Sequence, residues 1–356
     1  MSVGVAVSGG ADSLLALCLL QEQGYEPEAV HASFAGAADG EARLQEELAG
    51  ICARRGIPLH CIQMEEEFDR RVIRPFVQAY ARGLTPNPCS WCNQRIKFDA
   101  LVREVRSLGL DMIATGHYAR VEQDCPDPPG LYRGTDSGKD QSYFLALVDK
   151  RALAASLFPL SAWTKARVRE ELSRRGLRPV SGEESQEICF IPHNDYREFL
   201  AAQDTHLPGP GEVVDSSGRV LGRHQGVHGY TLGQRRGLGI AHSEPLYVLD
   251  KDAEANRLIV GPRRELQADS CRVRLDNALV GVSSWPEQVL VQTNYRQGAD
   301  PARILLEDGW LDVRFDRPRL PATPGQIAAF YSRDGRVLGG GEIMSGARRK
   351  SGQGLQ

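Results

Sequence analysis

The stretch that most constrains this chain is its beginning: Val3-Gly4-Val5-Ala6-Val7 runs directly into Ser8-Gly9-Gly10-Ala11-Asp12-Ser13. A short β-branched run, apolar on both faces, suits a central strand of a parallel sheet buried above and below. Two glycines then permit a sharp turn, and Leu14 to Leu20 continue as helix formers up to a stop at Gly24. Ser8, Asp12 and Ser13 are expected to supply oxygens or a cap to that helix. A strand feeding a glycine-rich turn into a helix N-terminus aims backbone N–H groups and a positive dipole end at an anion. The expectation is a phosphate or pyrophosphate site.

The alternation continues to about residue 120. Ala29 to Phe34 reads as a second strand. Leu44, Leu48, Ile51 and Cys52 mark one face of a helix ending at Gly56, and Leu59 to Gln63 is a further strand. Phe98, Leu101, Val102 and Val105 define another helix, followed by a buried strand, Met112 to Thr115, that ends at Gly116-His117. Such βαβ alternation predicts an α/β fold with a doubly wound parallel sheet, whose ligands bind beyond the carboxyl ends of the strands. Residues 121–205 are expected to be mostly helical, with Leu153 to Phe158 and Val168 to Leu172 as helices. Leu207-Pro208-Gly209-Pro210-Gly211 then breaks the pattern. Turn signals at Asp215-Ser216-Ser217-Gly218, Glu307-Asp308-Gly309 and Asp334-Gly335, with a strand pair at Tyr247–Leu249 and Leu258–Val260, predict an all-β remainder. The expected boundaries are 1–206, a small central β domain at 207–265, a C-terminal β-barrel at 266–345 and a loose tail at 346–356.

No apolar run approaches a membrane span, and the start lacks the basic-then-apolar pattern of a signal peptide. The expected setting is therefore cytoplasmic, away from membranes, and the eight cysteines are read as thiols. A net charge of −3 argues mildly against nucleic-acid binding without excluding it. The basic run from Lys165 to Arg178 reads as a solvated face.

The glycine turn is not a Walker A loop, and Gly134 to Asp140 also fails that pattern, with three residues between its glycines and Asp140 in place of the hydroxyl. Ser8 to Ser13 carries no lysine to follow a transferred γ-phosphoryl group. A cradle of N–H groups and hydroxyls suits a departing pyrophosphate, hence transfer of AMP to a substrate oxygen, with Asp12 orienting the loop or helping to hold Mg2+. This loop resembles the signature of the PP-loop ATP pyrophosphatases, which leaves thiolation enzymes, amide-forming ligases and lysidine synthetase open. Cys89 and Cys92 stand three apart just before a helix, a setting that can lower a thiol pKa. Cys189, between Ile188 and Phe190, reads by itself as a small core residue, as do Cys18, Cys52, Cys61 and Cys271.

Longer motifs narrow the choice. Asn87-Pro88-Cys89-Ser90-Trp91-Cys92-Asn93-Gln94-Arg95-Ile96-Lys97-Phe98, Ala114-Thr115-Gly116-His117-Tyr118, Gly138 to Leu145, Glu187-Ile188-Cys189-Phe190-Ile191, Thr231 to Gly239, Tyr295-Arg296-Gln297 and Thr323-Pro324-Gly325-Gln326 occur in one order. Together they resemble the tRNA-specific 2-thiouridylase family of MnmA type, within the PP-loop superfamily. The resemblance implies an adenine nucleotide alpha-hydrolase-like N-terminal domain, ATP and Mg2+ as cofactors, and ATP bound by Ala6, Val7, Ser8, Gly9, Gly10, Ala11, Asp12 and Ser13, with Ala32 and Gly116 nearby. It implies Cys92 as nucleophile and Cys189 as persulfide carrier, able to form a disulfide with each other during the cycle. Asn87, Pro88 and Cys89 would face the target base, and His117, Lys139, Asp140, Gln141, Asn294, Tyr295 and Gln326 would contact tRNA.

The implied partners are the wobble-uridine tRNAs for Lys, Glu and Gln and a persulfide donor from a cysteine desulfurase or sulfur relay. The chemistry is coherent: adenylation makes the 2-carbonyl oxygen of uracil a leaving group, which persulfide sulfur replaces. An unpaired anticodon base can be splayed into a pocket for this step. Departures from the family pattern are Cys89 where some members carry aspartate, Ala32 in place of methionine, a short Phe34–Arg43 segment, and Asn294 in place of arginine. They imply weakened nucleotide and tRNA contacts rather than lost activity. A PP-loop amide-forming ligase and a non-catalytic tRNA-binding protein remain as alternatives.

Overall fold

Because Val3, Gly4 and Val5 are buried on both faces, the opening strand belongs inside a sheet, and there it lies. In the computed structural model, which describes residues 2–34, 39–122, 129–180, 188–191, 193, 195–203 and 205–348, β1 (Ser2–Ala6) pairs in parallel with β2 (Glu26–Ser33), and β2 with β3 (Leu59–Gln63). On its other side β1 pairs with β4 (Met112–Ala114). A hairpin of β5 (Ala119–Glu122) and β6 (Gly130–Arg133) follows, and β7 (Ser156–Leu157) completes the sheet in the order β3-β2-β1-β4-β7. The chain thus runs outward from β1 in both directions. The switch point lies at the carboxyl ends of β1 and β4, where doubly wound sheets hold ligands.

The helix Ala11–Glu22 is buried along its whole stretch from Ser13 to Leu20, so the sheet and neighbouring helices cover it on every side. Each fully buried leucine there contributes about 1.5–3 kcal/mol. Gly4 lets the helix Leu101–Ser107 approach β1: a Cβ at Gly4 would stand 2.9 Å from a methyl of Val105. One expectation fails in this region. Leu153 to Phe158 is not a helix, because the helix Lys150–Ala154 stops and Ser156 and Leu157 become the edge strand paired with Ile113 and Ala114.

The chain divides into two compact units. The first comprises Met1–Ile73, Cys89–Phe190 and Asp334–Val337, and contains the parallel sheet. Its last segment joins through Gly335, whose carbonyl accepts the N–H of Arg133 on β6. The second comprises Arg74–Pro88, Ile191–Arg333 and Leu338–Gln356.

Two β modules build the second unit. β8 (Gly211–Asp215), β9 (Val220–His224), β10 (Leu246–Asp252) and β11 (Arg257–Pro262) form a four-stranded sheet in the order β10-β11-β8-β9 around Val213, Val248, Leu258 and Val260. β12 (Ala268–Ala278), β13 (Val289–Gln292), β14 (Asp300–Glu307), β15 (Trp310–Arg319), β16 (Ile327–Tyr331) and β17 (Val337–Arg348) close into an antiparallel barrel with a core that includes Val273, Val291, Val313 and Phe330. β17 stays paired with β12 as far as Arg348, so the first residues expected in the loose tail are strand; 349–356 lie outside the described residues. Among the described residues no helix is long and apolar enough to cross a membrane.

Candidate active site

The turn after β1 is drawn in by its own hydroxyls. Ser13 Oγ donates to the Gly10 carbonyl at 3.0 Å and accepts the Ser8 N–H at 3.2 Å, while Gly9 takes a left-handed φ of 75°. Gly9 also accepts the Val180 N–H at 2.8 Å. The expected side-chain cap is absent among the described residues: Gly10 is the N-cap of helix Ala11–Glu22 and no described side chain caps the first-turn N–H groups. Ser8, Asp12 and Ser13 are turned to other partners, which leaves those amides and the positive helix end to an anion. Gly116, at the end of β4, packs on the same turn. A Cβ there would stand 2.8 Å from the Asp12 carbonyl carbon and 2.9 Å from the Ser13 nitrogen, so only glycine permits the approach.

Asp12 brings in a residue the sequence reading placed on a solvated face. Lys165 Nζ donates to both Asp12 carboxylate oxygens at 2.8 and 2.7 Å, and the Tyr118 hydroxyl donates to one of them at 2.7 Å. Lys165 is buried, whereas Asp12 keeps 30% of its side-chain surface. The loop therefore has a lysine after all, delivered by the helix Lys165–Arg174. On the other side His31 bridges the Val7 carbonyl at 2.8 Å and Glu41 at 2.7 Å, and Ser33 donates to the same Glu41 oxygen. Burial raises the Glu41 pKa, but hydrogen bonds from Ser33, His31 and Gln45 outweigh it and hold the carboxyl low. These contacts fix the carboxyl end of β2, where Ala32 sits half-buried.

Gly116 leads into His117, which shares the influence of Lys97 with three thiols. His117, next to Gly116, is buried, hydrogen-bonded through Nδ1 to Thr115 Oγ1 at 2.7 Å, and lies 5.7 Å from the Phe98 ring and 5.9 Å from that of Phe158. Burial first, and then the charge of Lys97, push its pKa well below the usual histidine range, so this imidazole is neutral at pH 7. Phe98 and Lys97 belong to a wide-turned π-helix, Asn93–Ala100, which follows the single helical turn Pro88–Cys92. Such π segments are frequent at functional sites.

Cys92 is buried, Cys89 is partly buried and Cys189 is exposed. Burial pushes Cys92 up to about 12 and Cys89 up to about 11; packing around Cys189 raises its pKa as well. The Cys189 charge further raises both partners, while Lys97 acts in the opposite sense on all three thiols. Three thiols thus share one locality around one lysine. The expectation of a lowered thiol pKa is reversed, because burial outweighs the helix end. The reading of Cys189 as a core residue is also overturned: its neighbour Phe190 does the packing, 5.6 Å from Phe68, which stacks on Phe34 at 5.2 Å. Cys61, expected in the core, is exposed, while Cys18, Cys52 and Cys271 are buried. Ser185 to Glu187 lie outside the described residues.

Several residues singled out by resemblance are engaged within the protein. Asp140 is buried and accepts from Arg133 at 2.8 Å and from the Gly134 N–H, the Ser142 N–H and the Ser142 hydroxyl. Gln141 clasps Tyr118, accepting its N–H and donating its own N–H to its carbonyl, both at 2.9 Å. Lys139, half-buried, precedes them. The segment 139–141 thereby braces the tyrosine that holds Asp12. In the second unit, Gln326 Nε2 donates to the Thr85 and Pro86 carbonyls at 2.9 and 3.1 Å, and Thr85 N–H donates to the Pro324 carbonyl at 3.0 Å. Gln326 thus fixes the strand of chain leading to Asn87, which is buried, and Pro88. Asn294 Oδ1 accepts the Arg296 N–H at 2.9 Å, shaping a turn on which Tyr295 and Arg296 are exposed.

Lys165 and Lys97 are the residues of this candidate site that sequence reasoning did not pick. Lys97 stood inside a quoted motif; Lys165 carried only the signal of a basic helix start.

Comparison with known proteins places this arrangement. Residues 1–193 match the family model described as the tRNA methyl transferase HUP domain, 197–262 the tRNA methyl transferase PRC-barrel domain, and 264–343 the aminomethyltransferase beta-barrel domain. The tRNA-specific 2-thiouridylase MnmA of Nitratidesulfovibrio vulgaris (strain DSM 19637 / Miyazaki F) is 45% identical over 348 residues, covering 97% of this chain and 99% of that protein. The protein of the same name from Oleidesulfovibrio alaskensis is 46% identical, with the same coverage, and that from Roseiflexus sp. is 42% identical over 95% of this chain and 98% of its own. With a glycine turn, a thiol cluster and all three matched segments in the order of those relatives, the chain belongs to the tRNA-specific 2-thiouridylase family.

Proposed function

We propose that this chain catalyses ATP-dependent 2-thiolation of the wobble uridine of tRNA. The observation that carries the reading is the occurrence, within one unit, of a glycine turn with an uncapped helix end and three thiols under the influence of one lysine. The first suits ATP phosphates; the second suits sulfur chemistry.

The donor set of the turn fits ATP: free amides at Ala11 to Ser13, hydroxyls at Ser8 and Ser13, and the Lys165 ammonium at Asp12. Mg2+, when bound with ATP, neutralises phosphate charge, and Asp12 is the residue that would hold it, in exchange for part of its bond to Lys165. The uracil 2-oxygen attacks the α-phosphorus, pyrophosphate leaves toward the helix end, and AMP activates the 2-position. The terminal sulfur of a Cys189 persulfide then adds to C2 and AMP departs. Cys92 attacks the Cys189 sulfur, which forms a Cys92–Cys189 disulfide and releases the 2-thiocarbonyl base. An external thiol must reduce that disulfide before the next turnover. Exposure of Cys189 suits its reloading by a persulfide donor from a cysteine desulfurase or relay protein, whereas burial of Cys92 protects the attacking thiol from other oxidants.

Asn87, Pro88 and Cys89 are assigned to the target base, and Asn294 and Tyr295 to the tRNA backbone, with the tRNAs for Lys, Glu and Gln as substrates in the cytoplasm. For His117, Lys139, Asp140, Gln141 and Gln326, internal hydrogen bonds or burial favour support of these contacts. The test is direct. The full chain, given ATP, Mg2+, a persulfide source and unmodified tRNA, is expected to form 2-thiouridine at the wobble position by nucleoside mass analysis. No product, under conditions where another member of the family works, overturns the reading.

A further inference from the structure

Between β9 and β10 the chain runs from Gln225 to Pro245 with only one short 3-10 turn, Val227–Gly229. Loops of this length inside a compact module are uncommon and usually functional. This one is not loose. Gly233 N–H donates to the Val248 carbonyl at 2.8 Å and Val248 N–H to the Gln234 carbonyl at 2.9 Å. Leu238 is buried, and Tyr230, Leu232 and Ile240 pack on the core of the central sheet. Gln234 ties the turn, accepting the Thr231 N–H and donating to the Arg236 carbonyl. Lys251 Nζ donates to the Tyr230 carbonyl at 3.0 Å from below.

The residues these anchors hold outward enclose a cavity of about 490 Å³, large enough for one nucleotide. Arg197, His228, Tyr230, Gln234 and Arg236 line it, and among the described residues no aspartate or glutamate does. Arg197 is fixed by two hydrogen bonds to the Gly229 carbonyl, at 3.2 and 2.7 Å, and Arg236 is exposed. A cationic cavity with an aromatic wall matches the demands of a phosphodiester-linked nucleotide.

We propose that this cavity binds one nucleotide of the tRNA substrate away from the target base, with Arg236 and Arg197 on its phosphate and Tyr230 beside its base. The inference rests on tRNA as substrate. It gives the central β module, to which no site residue was assigned, a share of RNA binding.

The test measures binding of unmodified tRNA transcript to the full chain across a salt series, together with steady-state thiolation. Arg236→Ala is expected to weaken binding roughly five- to tenfold and to lower the slope of log affinity against log salt by about one. Arg236→Glu should weaken it further, and KM for tRNA should rise while kcat stays within about twofold. Arg263→Ala, which removes an exposed charge outside the cavity, should change neither. Wild-type binding and salt slope in both Arg236 variants would overturn the proposal. So would unchanged RNA binding with slower sulfur transfer from a donor protein, since the cavity would then hold that protein. If the unsubstituted chain binds tRNA through Arg236 but forms no 2-thiouridine, the functional reading fails and the binding site stands.

Discussion

Two lysines in the first unit are put to opposite uses. Lys165 is buried and spends its charge on both oxygens of Asp12, whereas no carboxylate among the described residues pairs with Lys97, whose charge acts on Cys89, Cys92, Cys189 and His117. At the glycine turn the cation is held by an acid. At the thiols a cation that no described carboxylate pairs offsets part of the penalty of burying a sulfur anion. On the proposed function this difference separates the two half-reactions: activation would draw on a charge that can change partners, and sulfur transfer on one that no described carboxylate pairs.

The most severe way to break this separation is to remove a thiol. Cys92→Ser and Cys189→Ser should each lower 2-thiouridine formation by about 10⁴-fold or more. In a single turnover with ATP and tRNA, pyrophosphate release should stay within about threefold, because the turn and Lys165 are untouched. Loss of pyrophosphate release in either variant would show that the halves are one site.

Lys165→Met addresses the other half. Pyrophosphate release should fall about 10²- to 10³-fold, as for removal of one charge-stabilising donor. Asp12 is left without its cation but is partly exposed, so the stability loss should be only about 2 kcal/mol by thermal or denaturant unfolding. The double variant with Asp12→Asn should recover most of that stability and none of the activity. Alkylation of Cys189 should proceed at the unsubstituted rate. A large change in that rate would tie the lysines together.

What the sequence could not convey about these two sites has a common physical origin. The glycine turn and β1 were legible because their constraints are local: a buried strand and a left-handed glycine. Lys165 was not, because 153 residues separate it from Asp12 and its helix carries the basic pattern of a solvated face. Cys189 looked like core because Ile188 and Phe190 flank it, yet both flanking residues are half-buried, Phe190 against Phe68, while Cys189 is exposed. The same ambiguity of short apolar runs made Leu153 to Phe158 a helix, when pairing with β4 draws its second half into the sheet. Gln141 and Gln326 were recognisable as motif members, but their hydrogen bonds to Tyr118 and Thr85 depend on tertiary structure.

Lys97→Met sharpens the comparison with a smaller effect. Without the cation the thiol pKa values rise further, and sulfur transfer at pH 7.5 should slow about five- to tenfold while pyrophosphate release is unchanged. The pH dependence carries the same sign. The folded-state pKa of Cys92 lies near 12, above its ordinary value, so the fold favours the neutral thiol; that contribution is intact below the ordinary thiol pKa and is lost as pH rises through 12. Alkylation of Cys92 should therefore increase about tenfold per pH unit from pH 7 to 9 without levelling. A plateau below pH 9 would mean that the thiol is not held neutral by burial.

Cys89 gives the smallest and most specific test. It adds a third sulfur where some family members carry aspartate, and its pKa of about 11 keeps it a thiol at neutral pH. A neutral thiol beside Cys92 and Cys189 contributes little charge, so Cys89→Ser should leave sulfur transfer within about twofold. Cys89→Asp instead places an anion among groups that already resist ionisation. It should raise the Cys92 and Cys189 pKa values, oppose Lys97, and slow transfer about threefold. The thiol has a second consequence under oxidation, since Cys89 can compete with Cys92 for Cys189 by thiol–disulfide exchange. Mass mapping after one turnover should find mainly the Cys92–Cys189 disulfide, with a minor Cys89–Cys189 product absent from Cys89→Ser. If the Cys89 product dominates and Cys89→Ser loses activity as Cys92→Ser does, the attacking thiol is Cys89, and the charge of Lys97 serves a different sulfur from the one assigned.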